Sequence, residues 1–231
     1  MTDNSKDEFI EITRIKEEFI ANASHELKTP IASVRLAAES ALTSLERDDG
    51  MTKSFLEQIL RDSDRMNELI SDLLDLSAME SSDVFMEAFD LHDVLANEIS
   101  YLSKQNKKRI SYKKKKVEIN ANFDDISLAV KNLIKNALKY SPPEENILIQ
   151  IEENDKSVRC SFQDFGSGIS ESDQEKIFER FYRVDKGRSR KVGGTGLGLA
   201  IVKHALDRNN AVIEIVSELD HGSNFTIVFE K

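Results

Sequence analysis

The segment 163–170, QDFGSGIS, places a carboxylate where chemistry can be done: Val158, Cys160 and Phe162 share one parity of an alternating run, and Asp164 continues it onto the same face. A carboxylate aimed at the core side of a sheet is costly unless a donor meets it, so Asp164 either caps its own turn or accepts from an N–H group of a ligand. Gly166 and Gly168 follow at once and would let a flat ligand approach the backbone. Asp164-Phe165-Gly166 also matches the tripeptide with which eukaryotic-type protein kinases hold magnesium beside ATP, but that chemistry needs a catalytic-loop His-Arg-Asp and a strand lysine as well. The Arg-Asp pairs present, Arg47-Asp48 and Arg61-Asp62, follow Glu46 and Leu60, and nothing resembles Val-Ala-Ile-Lys. Asp164 therefore needs another role.

Phosphate groups want outward-turned amides, and GGTGLGLA supplies them through Gly194, Gly196 and Gly198, ahead of a helix beginning near Leu197 whose N-terminal dipole favours anions. Neither a P-loop nor a Gly-x-Gly-x-x-Gly fingerprint fits this spacing. The preceding stretch, with Arg183, Lys186, Arg188, Arg190 and Lys191 and little apolar content, has the composition of a basic lid or a solvated loop. In DDISLAVKNLIKNALKYS, Asn132, Asn136 and Lys139 recur at steps of four and three on one helix face. Asparagine is a mediocre helix former, so the pair is either a solvent-face polarity or a source of hard neutral oxygen for Mg²⁺ completed by phosphates and water.

A third group lies near the N-terminus. His25 sits about 180° from the centre of the stripe formed by Phe19, Ala23, Leu27 and Val34, and so points outward. Thr29 shares that face, and Pro30 cannot donate to the carbonyl of Glu26, which should bend or loosen the helix one turn past the histidine. An exposed neutral imidazole with a carboxylate beside it to take or orient a ring proton can attack phosphorus. His92, His204 and His221 have no such setting and read as structural or surface residues.

Positioning these groups requires two kinds of architecture. From about Asp7 to Leu45, Ile12, Ile15, Phe19, Ala23, Leu27, Ile31, Val34, Ala38, Ala41 and Leu45 fall at helical spacing. ERDDGMTKS then gives a turn around Asp48 to Met51, with Gly50 as breaker and Thr52 as N-cap, before a second stripe of Phe55, Ile59, Met66, Leu69, Leu73 and Leu76. Two helices alone bury little, so the hairpin is expected to pair with a copy of itself as a homodimeric four-helix bundle. Beyond AMESSDVFMEAFD the pattern alternates: strands at Ile147, Ile149 and Ile151, at Val158, Cys160 and Phe162, and at Phe225, Ile227 and Phe229, with helices near 91–105, 124–140, 171–179 and 197–209. This predicts an α/β sandwich with mostly hairpin connections, and Cys160 belongs to its core. The division falls at residues 1–82 and 83–231.

Composition agrees with a soluble globular chain: 231 residues, 39% hydrophobic and 32% charged. No apolar run approaches the ~20 residues that cross a bilayer, and MTDNSKDEF lacks the regions of a signal peptide, so a cytoplasmic location is expected. One cysteine excludes an internal disulfide and, with four scattered histidines, a Cys/His zinc site. Residues 1–80 hold 18 acidic and 9 basic side chains and the rest is about neutral, which argues against general nucleic-acid binding. The basic run Lys113 to Lys116 reads as a lysine-protected strand edge or hairpin.

Taken together and in this order, FIANASHELKTP, NLIKNALKY, DFGSGI, FERFYRVD and GGTGLGLAI resemble the dimerisation and ATP-binding core of bacterial two-component sensor histidine kinases, over nearly the whole chain. The resemblance implies a helical-hairpin dimerisation domain and a Bergerat-type ATP-binding α/β sandwich, with ATP and Mg²⁺ as cofactors and a response-regulator receiver domain as partner. It implies that His25 accepts phosphate, that Glu26 is its acid/base helper, and that Thr29 positions water for a reverse phosphatase activity. Asn136 would be the Mg²⁺ ligand, with Asn132, Lys139 and Tyr140 near the nucleotide. Asp164 would hold the adenine amino group, beside Gly166, Gly168 and Ile169. Phe178 and Phe181 would brace a lid, Arg183 would approach the phosphates, and Gly194, Thr195, Gly196, Leu197 and Gly198 would line the ATP cavity. The sequence departs from the family pattern at Phe165, at Asn122-Phe123 and at Asn209-Asn210. A gyrase-type ATPase of the same superfamily lacks the segment around His25, and a kinase-dead scaffold would not need the intact asparagine, aspartate and glycine sets.

Overall fold

The computed structural model describes residues 3–47, 50–184 and 194–231, with side chains from Arg14 onward except 15 and 16. The basic positions Lys186, Arg188, Arg190 and Lys191, the turn residue Asp48 and the side chains of Ile12 and Ile15 lie outside the described residues. The chain divides into two compact units, one holding residues up to Ser71 together with Gly194 and Thr195, the other Asp72 onward.

The helical unit rests on α1 (Asp3–Arg47) and the greater part of α2 (Thr52–Ser81). Three side-chain bonds fix the two as an antiparallel hairpin: Thr52 Oγ1 donates to Ser44 Oγ at 3.0 Å, Gln58 Nε2 to Ser33 Oγ at 3.0 Å, and Arg65 Nη2 to Glu26 Oε2 at 2.9 Å. Thr52 is thus the first helical residue rather than the N-cap expected from sequence; its hydroxyl is used across the hairpin, and the Met51 carbonyl accepts from Ser54 and Phe55. Gly50 takes φ 73° in the turn, as a breaker should. α1 runs through Pro30 without interruption.

The α2 stripe is as expected, but the α1 stripe divides. Ala23, Pro30, Ala37, Ala41 and Ser44 are buried, whereas Ile31 and Leu45 are more than half exposed. The small residues form the line facing inward, and the large ones, with Ile20 and Leu42 on α1 and Leu56, Leu60 and Ile70 on α2, form a second apolar line left outward. A single stripe traced through the bulkiest residues merges these two lines.

In the second unit, β4 (Ile147–Glu153) and β5 (Ser157–Gln163) form an antiparallel hairpin, as do β6 (Ala211–Glu218) and β7 (Gly222–Glu230). With β2 (Ile110–Tyr112), paired in parallel to β4, they make a five-stranded sheet in the order β2-β4-β5-β7-β6. A separate two-stranded ribbon joins β1 (Glu87–Asp90) to β3 (Glu118–Ala121). The expected alternation holds: Ile147, Ile149, Ile151, Val158, Cys160 and Phe162 are all buried. Cys160 lies opposite Ile151 and Ile227, and burial pushes its thiol pKa up. These side chains pack under α5 (Phe123–Tyr140) and α7 (Gly198–Arg208), whose Ile126, Val130, Leu133, Ile134, Ile201, Val202 and Leu206 complete the core.

The helix expected over 91–105 is two, α3 (Leu91–Ser100) and α4 (Lys104–Lys108), because Ser103 caps a new start by accepting from Asn106 N at 3.2 Å. The helix expected over 171–179 is likewise short, α6 (Glu171–Gln174) followed by a 3₁₀ turn at Lys176–Phe178. Lys113–Lys116 connect the edge strand β2 to β3 as a largely exposed loop, in keeping with their reading as edge protection.

Candidate active site

On α1 His25 is exposed, as the helical angle requires. Thr29 shares the outward face and turns its hydroxyl back on the helix, donating to the His25 carbonyl at 3.3 Å. Glu26 is placed differently from what adjacency alone suggests. Its carboxylate is half-buried against α2 and engaged by Arg65, a residue that sequence motifs did not single out.

In the second unit Asp164 directly follows the last residue of β5 and is 5% exposed. Its Oδ1 accepts from Gly166 N at 2.9 Å and from Ser223 N at 3.3 Å, and its own N–H donates to the Ser223 carbonyl at 2.8 Å. Burial raises its pKa above the ordinary carboxylate range, opposed by the Gly166 and Ser223 amides and the Ser223 hydroxyl. Of the two alternatives, the capping of its own turn is the one these bonds show.

The glycines after Asp164 have a reason that sequence did not give. A Cβ on Gly166 would collide with the Tyr140 carbonyl, and one on Gly168, at φ 65°, with the Glu218 carbonyl. Gly222, at φ 88°, meets the Asp164 carbonyl in the same way. Protein backbone by itself already demands these glycines. The loop is fastened further by Ile169 N to Ser217 Oγ at 2.8 Å, Asp220 N to the Ser167 carbonyl at 2.8 Å, and Phe165 N to Ser141 Oγ at 3.1 Å.

Asn132 and Asn136 share a face of α5, but neither lies on an open solvent face. Asn132 is 5% exposed and turns its amide onto the Leu128 carbonyl at 2.9 Å; Asn136 is half-buried. A Cβ on Gly198, the first residue of α7, would lie 3.0 Å from Asn132 Oδ1 and 4.0 Å from Asn136 Nδ2, so both amides stand against the start of that helix. Helix α7 begins at Gly198, one residue after the expected start, with Leu197 fully buried as its N-cap. Lys139 is half-buried with its ammonium 5.4 Å from the Tyr140 ring, and Tyr140 is 48% exposed. Arg109 holds the end of α5 by donating to the carbonyls of Leu138, Ser141 and Pro142.

Phe178 and Arg183 are half-buried. Phe181 takes φ 65°, a left-handed conformation unusual for an aromatic residue, and its N–H donates to the Gly196 carbonyl at 2.8 Å. Gly196, at φ 76°, admits this contact because a Cβ there would lie 2.9 Å from the Phe181 backbone. Gly194 has φ 118° and Thr195 is buried. Among the other histidines, His92 meets the Tyr112 hydroxyl at 2.9 Å, His221 is exposed, and His204 is half-buried.

Residues 121–231 match the family described as "Histidine kinase-, DNA gyrase B-, and HSP90-like ATPase", and residues 15–82 match "His Kinase A (phospho-acceptor) domain". The chain is 34% identical over 237 residues to the sensor-like histidine kinase SenX3 of Mycolicibacterium smegmatis, covering 97% of this chain and 59% of that protein. It is 35% identical over 227 residues to the phosphate regulon sensor protein PhoR of Pseudomonas aeruginosa, covering 95% and 51%. The chain thus spans little more than half the length of these relatives. Among solved structures, histidine kinase ThkA in complex with response regulator protein TrrA has the same fold, with a TM-score of 0.74 at 20% identity over 96% of this chain and 63% of that one. An outward histidine on a helical hairpin and a buried aspartate directly after a sandwich strand, each inside its matching domain, identify the chain as a catalytic core of the sensor histidine kinase family.

Proposed function

We propose that the chain transfers the γ-phosphoryl group of Mg·ATP to His25 and passes it to an aspartate of a response-regulator receiver domain, with Thr29 positioning water for dephosphorylation of that regulator. The observation that carries this reading is the exposure of His25 beside a carboxylate on the hairpin, in a chain that also holds an ATPase-type domain. As a neutral ring nitrogen attacks phosphorus, the bond from phosphorus to the ADP oxygen breaks, and the proton of the other ring nitrogen passes to Glu26. Residues 1–82 then serve as the dimerisation and phosphotransfer domain and 83–231 as the ATP-binding domain.

Asp164 accepts from the adenine amino group in this reading, with its Oδ1 fixed by two backbone amides. Asn136 holds Mg²⁺, which neutralises phosphate charge when bound. The residues suit that ion: the half-buried Asn136 carboxamide, on α5 facing the start of α7, offers one hard neutral oxygen and leaves the remaining positions to phosphate and water. Asn132, Lys139 and Tyr140 stand near the nucleotide in this reading, Asn132 with its amide held on the Leu128 carbonyl. Homodimerisation is supported by the outward apolar line of Ile31, Leu42, Leu45, Leu56 and Leu60, which a second hairpin would cover. No described helix is long and apolar enough to cross a membrane, and we place the activity in the cytoplasm.

Incubation with γ-labelled ATP tests the reading. The expected product is label that is lost in acid, survives base and disappears in His25→Ala, whereas acid-stable label, or undiminished label in that variant, would overturn it.

A further inference from the structure

The hairpin places one more charged group within the reach of Arg65. Glu26 and Ser33 are seven residues apart on α1, as are Arg65 and Gln58 on α2, so the two bonded pairs mark one continuous seam between the helices. Asp62 lies on that seam, four residues after Gln58 and three before Arg65, which makes it a same-face neighbour of both. Its Oδ2 is buried with no hydrogen-bond partner among the described residues. A buried carboxylate oxygen without a donor is costly, so Asp62 calls for a partner. Arg65 has five N–H donors on a fixed fork and stands one turn away. In the state seen here it is committed to Glu26, at 2.9 Å, with both side chains largely buried.

We infer that Arg65 is a two-position clamp and a positioning residue for phosphorylation of His25. On Glu26 it holds the carboxylate against α2; moved to Asp62 it releases Glu26 to take the ring proton of His25. The inference rests on the proposed role of His25. Each carboxylate competes for one guanidinium, so removing the charge of either drives Arg65 to the other, and a charge-assisted hydrogen bond shifts that balance by on the order of tenfold or more.

The test uses the full chain with labelled ATP. Asp62→Asn, isosteric but uncharged, should lower the turnover of autophosphorylation by about tenfold with KM for ATP unchanged, because Arg65 then stays on Glu26. Adding Asp62→Asn to Arg65→Gln should have no effect beyond that of Arg65→Gln alone; Arg65→Lys, which keeps the charge, should retain the Asp62 dependence. An equal Asp62→Asn loss in the Arg65→Gln background, or no loss in wild type, would overturn the clamp. A readout free of activity is the Arg65 ¹⁵Nε signal in Glu26→Gln, which Asp62→Asn should shift again only if Arg65 has moved to Asp62. Wild-type protein that takes no acid-labile label would instead refute the role of His25, so the two failures are distinguishable.

Discussion

Replacing Asp164 by asparagine separates base recognition from metal binding, and the structure says which oxygen stays. Oδ1 is fixed by the Gly166 and Ser223 amides at 2.9 and 3.3 Å, so an asparagine that flipped its amide would set N–H against N–H in a site 5% exposed. The asparagine therefore keeps its oxygen on the backbone and turns its NH₂ toward the ligand, donor to donor against an adenine amino group. The lost bond is one to a charged group, worth roughly 1.5–3 kcal/mol, or about ten- to a hundredfold in affinity. Asp164→Ala is the cruder change, since it also strips both buried amides of their acceptor, at about 1–3 kcal/mol each, and lowers stability with affinity. Calorimetric titration of Asp164→Asn with ATP and with a purine nucleotide lacking the amino group, each with and without Mg²⁺, gives four affinities. The expected loss is confined to ATP and indifferent to metal. A loss that appears only with Mg²⁺ and affects both nucleotides alike would refute the assignment and return Asp164 to magnesium.

Four further outcomes are expected. Because burial raises the pKa of Asp164, ATP affinity should fall with acidification at a pH above the ordinary aspartate value of about 3.9, while the nucleotide lacking the amino group shows no such step. The same raised pKa gives the opposite sign for folding: the ionised group costs stability, so unliganded protein gains from this residue as pH falls through the folded pKa, a gain that Asp164→Asn removes from the melting profile. Asn136→Ala should weaken Mg·ATP binding in titration calorimetry and leave metal-free ATP binding little changed. Arg208→Ala should destabilise the second unit by about 3 kcal/mol in denaturant unfolding, since Arg208 pairs with Asp125 at 3.0 Å with side chains 13% and 6% exposed, and its loss leaves a buried charge with the neutral Asn209 amide as donor.

Much of the site was legible in the sequence because its signals are local. The exposure of His25 follows from an angle on one helix, and the burial of Asp164 from the parity of one strand. What sequence left out is made by partners distant in the chain. Ser223 and Gly222 meet Asp164 across some sixty residues, and no local pattern announces them. The backbone need for glycine at 166 and 168 stayed hidden for the same reason, since the carbonyls of Tyr140 and Glu218 that an added Cβ would strike are visible only in the fold. Strands β1, β2 and β3, of three or four residues, are too short for alternation to mark. The departures at Asn122 and Asn209 prove to be partners. Asn122 caps α5 by accepting from Asp125 N, its own N–H donates to Asn209 Oδ1, and Asn209 Nδ2 donates to Asp125. Asn210 supplies the left-handed turn, at φ 52°, for which glycine is the usual choice.

The crossing of main chain beneath Asp164 bears on how the proposed nucleotide pocket can change over time. Three glycines there touch carbonyls with no space for a single methyl group, so no side chain can be introduced at 166, 168 or 222 without moving backbone that Asp164 depends on. Variation is left to the rim, where Phe165 is 40% and Tyr140 48% exposed. A competitive inhibitor that drew its affinity from the floor would press on positions where resistance substitutions damage the protein itself, whereas one that leaned on Phe165 would gain selectivity among related kinases and lose it to a single codon change.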